Sequence, residues 1–192
     1  MKILISSRNK NKIREVREIL SGCEILTPDD VGSFDEVEED GSTFEENALK
    51  KAGEICEQTG MITIADDSGL CVDALGGAPG IYSARFAGDG HDDEENIKKL
   101  LKLLENEENR GAKFVSAAAV CFPDGKHFVV RGECEGTILR EKRGSNGFGY
   151  DPVFYTEVYK KSFAEISDDE KNSISHRRRA FDALKKKLDE LM

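Results

Sequence analysis

The stretch Met61-Ile-Thr-Ile-Ala-Asp-Asp-Ser-Gly-Leu70 joins an apolar run to two adjacent acids and a glycine. Residues 62–65 are apolar or β-branched, which predicts a buried strand. We expect this strand to end at Asp66 and Asp67 and to open into a loop, where α/β folds commonly keep their ligand sites. Adjacent carboxylates in such a place repel each other and lose solvation unless a cation or hydrogen bonds compensate. An exposed turn at residues 66–69 is the alternative that this stretch alone leaves open.

Hydrophobic periodicity on both sides of this stretch predicts the other elements. A helix from about Phe44 to Thr59 should begin at the capping box Thr43-x-x-Glu46 and stop at Gly60. The remaining predicted elements are a strand at residues 2–6, a helix whose inner face carries Ile13 and Val16, a helix at 92–104, strands at 113–122 and 126–139, a short strand from 153, and a helix from 175 with Phe181, Leu184, Leu188 and Leu191 at core spacing.

Length, composition and charge bound the class of protein. A chain of 192 residues can bury a substantial core as one domain or as two closely joined lobes. Hydrophobic residues make up 38% and charged residues 34%, as in ordinary soluble globular proteins. The net charge of -10 argues against broad binding to nucleic acid or to anionic membranes, because both require an extended basic face. A phosphate ligand should therefore meet cations that are concentrated in one pocket.

Targeting signals and cysteine usage indicate the compartment. Residues 1–8 contain too few apolar side chains for a signal peptide, and no stretch approaches the length of a membrane span. The five cysteines are odd in number and include no Cys-x-x-Cys pair. This pattern favours reduced, mostly buried thiols over disulfides or a zinc site, so we expect a cytoplasmic protein.

Three cationic residues, Arg8, Lys10 and Lys12, lie at the start of the first helix, where the helix dipole disfavours positive charge. Ser7 or Asn9 is suited to cap this helix, because either side chain can accept from the amides of the first turn. The same placement suits an anion, since amides and ammonium groups converge on one point. A capped, solvated helix start is the alternative, and the anion site is the interpretation that we favour.

Phosphoryl transfer requires cations for the phosphates, carboxylates for a divalent metal and an oriented water molecule. Residues 7–12 are candidates for the first role, and Glu39, Asp66 and Asp67 carry the hard oxygen ligands that magnesium prefers. Asp67 is also a candidate for orienting or deprotonating the attacking water. The acidic residues 35–41 otherwise read as a surface loop. The chain has no Gly-x-x-x-x-Gly-Lys-Ser/Thr loop, and no Gly-x-Gly-x-x-Gly follows the first strand, so neither an ATPase P-loop nor a Rossmann cofactor is supported.

A second glycine-rich loop, residues 144–152, carries aromatic and acidic side chains. Phe148 and Tyr150 offer a flat face for a base, and stacking contributes roughly 1–3 kcal/mol per base. Asp151 is a candidate acceptor for a hydrogen bond from a base or a sugar. Further donors near a helix start are Lys171, His176 and Arg177.

Six motifs follow one another over nearly the whole chain: Ser7-x-Asn9-x-x-Lys12, Thr43-Phe-x-Glu-Asn-Ala48, Ala65-Asp-Asp-Ser-Gly-Leu70, Gly76-Gly-Ala-Pro-Gly-Ile-Tyr-Ser-Ala-Arg85, Gly147-Phe-Gly-Tyr-Asp-Pro152 and Lys171-x-x-Ile-Ser-His-Arg177. In these motifs the chain resembles the inosine/xanthosine triphosphate pyrophosphatase family, enzymes that hydrolyse non-standard purine nucleoside triphosphates. Six motifs in one order are too many for a chance match.

The resemblance implies a role for each matching residue. Glu39 and Asp67 match the residues associated with Mg2+, with Glu38 as a competitor of Glu39, and Asp67 also matches the proton acceptor. Lys51 matches a second phosphate-side lysine, and Ser68 matches a substrate contact. The implied triphosphate loop consists of Ser7, Arg8, Asn9, Lys10, Asn11 and Lys12. The implied base-recognition wall consists of Phe148, Gly149, Tyr150, Asp151, Lys171, His176 and Arg177.

The resemblance also implies a fold, an activity and an assembly. The fold is α/β and elongated, with a long mixed sheet flanked by helices and with two lobes around a central cleft, all in a single domain over residues 1–192. The activity is Mg2+-dependent hydrolysis of ITP, dITP and XTP to the monophosphate and pyrophosphate, carried out by a homodimer. Cysteine usage and net charge add the expectation of a cytoplasmic protein that binds no nucleic acid or membrane. The alternatives are a broader nucleotide pyrophosphatase acting on dUTP or a modified pyrimidine, and a non-catalytic nucleotide-binding module.

Hydrogen bonding explains how such an enzyme discriminates against adenine. Inosine and xanthosine carry an acceptor oxygen at C6, where adenine presents an amino donor. A donor such as Arg177 or His176 at that position pairs with the oxygen and is left unpaired by adenine, which penalises adenine strongly in a buried site. We therefore expect these residues to read the base, whereas decoration of a helix N-terminus is the alternative role for both.

Overall fold

The computed structural model describes residues 1–32 and 34–191, and over these residues it is an α/β fold built on one mixed sheet of seven strands. The strands are β1 (Lys2–Ile5), β2 (Glu24–Leu26), β3 (Thr63–Val72), β4 (Gly111–Cys121), β5 (His127–Ile138), β6 (Phe154–Thr156) and β7 (Lys161–Ser162). The helices are α1 (Lys10–Ile19), α2 (Pro28–Val31), α3 (Phe44–Thr59), α4 (Asp93–Leu103), α5 (Asp168–Ile174) and α6 (His176–Leu191). The strand order is β2-β1-β3-β4-β5-β6-β7, and β1 pairs in parallel with β2 and β3 whereas β6 pairs antiparallel with β5 and β7.

The long strand β3 differs from the sequence prediction. It continues through Asp66 and Asp67 as far as Val72 instead of opening into a loop after the apolar run. Both acids are buried, with 2% and 6% of their surfaces exposed, so the alternative of an exposed turn is also wrong. Because neighbouring side chains of a strand point to opposite faces of the sheet, the two carboxylates are separated and can meet different partners.

Most other predicted elements are confirmed to within two residues. Helix α3 begins and ends as predicted, and Thr43 caps it by accepting a hydrogen bond from the backbone of Glu46 at 3.1 Å. Asn9, and not Ser7, caps α1. The elements β2, α2, α5 and β7 have no counterpart in the prediction, because runs of two to seven residues are too short for hydrophobic periodicity to reveal.

The chain divides into two compact units by its internal contacts. Unit 1 comprises Met1–Asp67, Ser116–Gly132 and Arg177–Met192, and unit 2 comprises Ser68–Val115 and Glu133–His176. Strands β3, β4 and β5 therefore each contribute residues to both units. Every candidate for phosphate or metal binding belongs to unit 1. The substrate contact Ser68 and every candidate for base recognition except Arg177 belong to unit 2.

The core of unit 1 forms where α1 and α6 pack against β1, β3 and β4. Leu188 belongs to this core as predicted, but Leu191 is 60% exposed and does not. Buried residues of this core include Ile3, Ile5, Val16, Ile64, Ala118, Phe181 and Leu184.

The core of unit 2 is rich in aromatic side chains. The ring of Phe114 lies 4.4 Å from that of Phe154 and 5.8 Å from that of Phe163. These rings pack with Leu70 and Leu100 into one buried cluster. Such a cluster stabilises the glycine-rich loop of this unit, because Tyr150 and the β6 strand that follows it are anchored there.

Two sequence expectations about the class of protein can be compared with the fold. No helix of the described residues is both long and apolar enough to cross a membrane. All five cysteines are thiols rather than disulfides, and three of them are buried. Burial raises the pKa of the Cys121 thiol to about 11, which makes it unreactive at neutral pH.

Candidate active site

Three cationic side chains of unit 1 contact Asp66. Its Oδ2 atom lies 3.2 Å from Nζ of Lys12 and 3.3 Å from Nε of Arg177. Its backbone oxygen accepts a hydrogen bond from Nζ of Lys51 at 2.8 Å. One buried strand residue therefore brings together cations from α1, α3 and α6, which are far apart in the sequence.

The charges around Asp66 determine its protonation state. Burial acts to raise the pKa of this carboxyl, but Lys12 and Arg177 outweigh it and hold the pKa well below its usual range. Asp66 is therefore ionised at neutral pH, with cations at its Oδ2 atom. In this geometry Asp66 holds the cationic side chains in place. The same geometry does not favour Asp66 as a ligand of magnesium, which is a role that the sequence also suggested for this residue.

Arg177 lies with the phosphate-side groups, although the sequence placed it in the base-recognition wall. Its Nη1 atom donates to Oε2 of Glu15 on α1, and only 2% of the arginine is exposed. Burial acts to lower the pKa of Arg177, and the carboxylates of Asp66 and Glu15 outweigh this and raise it. Lys12, Asp66, Arg177 and Glu15 thus alternate in charge, and we call these four side chains the buried ionic chain.

Asp67 points to the opposite face of β3 and meets α3. Its Oδ2 atom accepts a hydrogen bond from Nδ2 of Asn47 at 3.0 Å. Burial raises the pKa of Asp67 to about 6; Lys51 and Asn47 act to lower it, and the negative charge of Glu39 acts to raise it. A carboxylate whose pKa lies near neutrality is suited to accept a proton from water.

Glu39 is the residue of the acidic loop that faces Asp67. Its Oε1 atom lies 2.9 Å from Nζ of Lys51, and its charge acts on the pKa of Asp67. Glu38 instead acts on Lys50, a half-buried lysine whose pKa is raised mainly by its hydrogen bond to Asp40 and also by the charge of Glu38. The geometry therefore favours Glu39 over Glu38 as the partner of Asp67.

The carboxylates of Glu39 and Asp67 fit a magnesium ion that is also bound by phosphate and water. Mg2+ is usually held by one or two carboxylates together with substrate phosphates and several waters. Within residues 1–32 and 34–191, no group of three or more His, Cys, Asp or Glu side chains is arranged to hold a metal ion. The side chain of Glu39 is 37% exposed and so is open to a ligand. The residues present therefore suit an ion that arrives with a polyphosphate better than an ion held by protein groups alone.

The first turn of α1 is arranged differently from the anion site that the sequence predicts. Oδ1 of Asn9 accepts from the backbone amides of Asn11 at 3.0 Å and Lys12 at 3.2 Å, so the cap engages both amides. Oγ of Ser7 accepts from the amide of Asn9 at 3.2 Å. An anion at this turn therefore meets side-chain cations rather than these amides. The exposed cations here are Arg8 and Lys10.

The raised pKa of Asp67 predicts a pH-dependent stability difference. Between its ordinary pKa of 3.8 and about 6, folded Asp67 holds a proton that the unfolded chain has lost. The free energy of unfolding therefore falls as pH rises through this range, by about 3 kcal/mol in total. Asp67→Asn removes this titration, so its stability relative to the parent should increase between pH 4 and pH 7.

Urea denaturation of both proteins in EDTA, at pH 4, 5, 6 and 7, measures this difference. Asp73→Asn serves as a control, since Asp73 is an exposed acid outside this site. A stability difference between Asp67→Asn and the parent that stays constant with pH would show that Asp67 titrates at an ordinary pKa.

In unit 2, Asp151 organises the second glycine-rich loop. Its Oδ2 atom accepts from the backbone amide of Phe148 at 3.0 Å and from Nζ of Lys171 at 2.8 Å. Nζ of Lys171 also lies 4.6 Å from the centre of the Phe148 ring. A Cβ atom at Gly147 would lie 2.1 Å from Oδ2 of Asp151, and the φ of +73° there also favours glycine. The loop therefore presents a half-buried Phe148 ring beside an ammonium group.

Other members of the predicted base-recognition wall take different positions. Tyr150 is buried, and its hydroxyl donates to the backbone oxygen of Ser83 at 2.6 Å, so this ring belongs to the core and not to an exposed stacking face. The amide of Gly149 donates to Asp93 on α4 at 2.8 Å. The imidazole of His176 is buried and stacks on Phe114 with ring centres 4.8 Å apart. The implied substrate contact Ser68 is half-buried on β3.

The sequence reasoning missed the roles of Glu15, Asn47 and Asp93. Glu15 lies three residues after Lys12 and four before Ile19, so helical spacing puts it on the inner face of α1. Asn47 likewise lies four residues before Lys51 on α3. A polar residue at core spacing was therefore the available signal for both. No signal in the sequence connects Asp93 with Gly149.

Comparison with known proteins gives a consistent identification. The family model described as the Ham1 family matches residues 3–187. A dITP/XTP pyrophosphatase of Bacillus anthracis is 51% identical, with 98% of this chain and 96% of that protein covered. One of Geobacter sulfurreducens is 48% identical, with 97% of this chain and 96% of that protein covered.

Solved structures agree with the sequence relatives. The Staphylococcus aureus Ham1 protein superposes with a TM-score of 0.91 at 43% identity, and the match covers 100% of both chains. A nucleoside-triphosphatase / dITP/XTP pyrophosphatase of Mycobacterium abscessus has a TM-score of 0.79 at 46% identity, with 96% of this chain and 98% of that chain covered. The fold class and the resemblance that the sequence predicts are both confirmed. This chain belongs to the Ham1 family.

Proposed function

We propose that this protein hydrolyses the non-standard purine nucleoside triphosphates dITP, ITP and XTP to the monophosphate and pyrophosphate. The activity in the printed names of its relatives supports this proposal. The observation that carries it is the convergence of Lys12, Lys51 and Arg177 on Asp66, the strand residue that precedes Asp67, whose carboxyl has a raised pKa. A protein of net charge -10 concentrates its cations in this way where a polyanion binds.

In the proposed mechanism, unit 1 binds the triphosphate. The ammonium groups of Lys12 and Lys51 offset the negative charge that otherwise repels a nucleophile. Ser7, Asn9 and the exposed cations of the first turn hold the outer phosphates. Asp67 orients a water molecule and accepts its proton, and the water breaks the anhydride bond between the α- and β-phosphates. The products are the nucleoside monophosphate and pyrophosphate.

Mg2+ is the cofactor that we propose, with Glu39 and Asp67 as its protein ligands. When bound, it neutralises phosphate oxygens and so makes the anhydride bond easier to break. Nζ of Lys51 lies 2.9 Å from Oε1 of Glu39. This lysine therefore balances the charge of the glutamate before the ion and the nucleotide bind. The pair also keeps the acidic loop next to α3.

Unit 2 recognises the base in this proposal. The ring of Phe148 supplies a stacking surface, and Lys171 supplies a donor beside it. His176 is a further donor in this unit, whereas Arg177 is engaged by Asp66 and Glu15. An acceptor oxygen at C6 of the purine satisfies such a donor, and the amino group of adenine does not.

The assembly and the compartment are also proposals. We propose a homodimer that works in the cytoplasm, on the resemblance to the family and on five cysteines that are all thiols. The acidic net charge supports the absence of nucleic-acid and membrane partners. We further propose that residues 1–192 form one catalytic domain of two lobes.

A substrate panel tests the proposed function. Pyrophosphate release is measured from dITP, XTP, dUTP, GTP and ATP, each with and without Mg2+. We expect turnover of dITP and XTP with the metal, and about 10–100-fold lower kcat/KM for ATP, since a buried unpaired donor costs about 1–3 kcal/mol. Omitting Mg2+ should remove most of the activity.

The alternatives make different predictions for the same panel. A broader pyrophosphatase would release pyrophosphate from dUTP as fast as from dITP. A non-catalytic module would bind nucleotides, as calorimetry measures, without hydrolysing any of them. Either result would contradict the proposed function.

A further inference from the structure

Asn47 belongs to the motif Thr43-Phe-x-Glu-Asn-Ala48, to which the sequence assigned no chemical role. It lies near the start of α3, and only 2% of it is exposed. Its side-chain amide is engaged at both ends: Oδ1 accepts from the backbone amide of Gly41 at 2.8 Å, and Nδ2 donates to Oδ2 of Asp67 at 3.0 Å. One planar group therefore joins the acidic loop to the carboxylate that the mechanism uses.

We propose that Asn47 is a positioning residue that fixes both the orientation of Asp67 and the end of the acidic loop that carries Glu39. The inference rests on the proposed function, because that function gives Asp67 its role. Asn47 touches neither substrate nor water in this account and acts through these two neighbours. Removing a group of this kind, which orients a ligand or a base, typically lowers activity or metal affinity by about 10–100-fold.

The chemistry of the two contacts explains why asparagine occupies this position. An amide presents an acceptor to Gly41 and a donor to Asp67 at the same time. Aspartate keeps the acceptor but has no donor, and it adds a second negative charge next to Asp67. Alanine provides neither contact. With Oδ2 of Asp67 held by the amide, the proposal assigns Oδ1 to the reacting water.

The acidic loop is shaped for this contact. A Cβ atom at Gly41 would lie 2.6 Å from Oδ1 of Asn47 and 2.9 Å from Cβ of Glu46, closer than real Cβ contacts. The absence of a side chain at Gly41 therefore lets the loop approach the amide. Two residues before it, Glu39 pairs with Lys51, so the loop is attached to α3 at two points.

The test compares Asn47→Ala with Asn96→Ala. Asn96 is a matched control, because it is 2% exposed, its Oδ1 atom accepts from the amide of Ala87 at 2.7 Å, and its Nδ2 atom donates to the oxygen of Ala84 at 3.0 Å. Both substitutions should lower the free energy of unfolding by a similar amount. Only Asn47→Ala should also lower kcat for dITP, by about 10–100-fold, with KM changed less than kcat.

A second variant and a second measurement complete the test. Gly41→Ala keeps the side-chain amide of Asn47, but the added methyl group displaces it. This variant should therefore reproduce the loss in kcat. Hydrogen exchange of the Gly41 amide in the metal-free protein should accelerate in Asn47→Ala and not in Asn96→Ala. A kcat of Asn47→Ala within threefold of the parent, or equal loss in both asparagine variants, would overturn the proposal. If the parent hydrolyses no triphosphate, the proposed function fails and so does the positioning role, whereas the exchange result still decides whether the contact exists.

Discussion

Asp67→Asn should lower kcat for dITP by about 10²–10⁴-fold, the range that a positioned general base contributes. The substitution keeps the shape of the side chain, and its amide oxygen can still accept from Nδ2 of Asn47, which lies 3.0 Å from Asp67 in the parent. It removes the negative charge and the proton-accepting oxygen. Because Lys12 and Lys51 are untouched, the nucleotide should still bind. Steady-state pyrophosphate release gives kcat, and calorimetry with dITP gives the affinity.

The acidic loop supplies a matched pair of controls for this experiment. Glu39→Gln should also lower turnover and should raise the Mg2+ concentration needed for half-maximal rate, because it removes the second proposed metal ligand. Glu38→Gln should change turnover by less than about twofold, since exposed charges rarely matter at this level. Turnover of Asp67→Asn equal to that of the parent would exclude Asp67 as the base. A loss in Glu38→Gln but not in Glu39→Gln would reverse the assignment of the metal ligand.

The sequence predicted the secondary-structure elements around Asp66 and Asp67 better than it predicted the partners of each residue. It placed Asp66 and Asp67 together because they are adjacent after an apolar run. It did not show that β3 continues through them to Val72, which gives the two carboxylates different partners on opposite faces. Acidic residues in a strand interior contradict ordinary β propensity. The cations from α1, α3 and α6 offset the burial of Asp66, and the side-chain amide of Asn47 donates a hydrogen bond to Asp67.

Long-range pairing explains the other differences between prediction and structure. The periodicity of α3 and its capping residue Thr43 are local, so both were predicted correctly. Arg177 and Glu15 are 162 positions apart, and no local pattern connects them. Similarly, Tyr150 looked like a stacking surface in a glycine-rich loop, whereas its hydroxyl is buried against Ser83. The resemblance in the motifs predicts roles for these residues, whereas the contacts that the structure shows for them are not contained in the motifs.

Arg177→Ala should destabilise the protein by about 3–5 kcal/mol, the penalty for removing one partner from a buried ionic group. Asp66 and Glu15 would keep their charges with 2% and 4% of their surfaces exposed, and Glu15 would lose the guanidinium that it contacts. Arg178→Ala is the neighbouring control. Arg178 pairs with Asp182 at 2.6 Å with 43% of its side chain exposed, so its loss should change stability by about 0.5 kcal/mol or less. Urea denaturation at pH 7 measures both variants.

A double variant distinguishes the effect of unpaired charge on stability from the effect of lost packing. Glu15→Leu combined with Arg177→Met replaces two members of the buried ionic chain by apolar side chains, and it should recover much of the lost stability, because such exchanges are often close to neutral. The base-reading role that the sequence gave to Arg177 predicts the opposite pattern, in which Arg177→Ala keeps its stability and loses its preference for dITP over ATP. Unfolding free energies and the two kcat/KM values, measured on the same preparations, decide between these roles. Suppose that Arg177→Ala lowered the free energy of unfolding by less than about 1 kcal/mol and removed the preference for dITP over ATP. The requirement for arginine at this position would then come from base reading and not from the buried ionic chain.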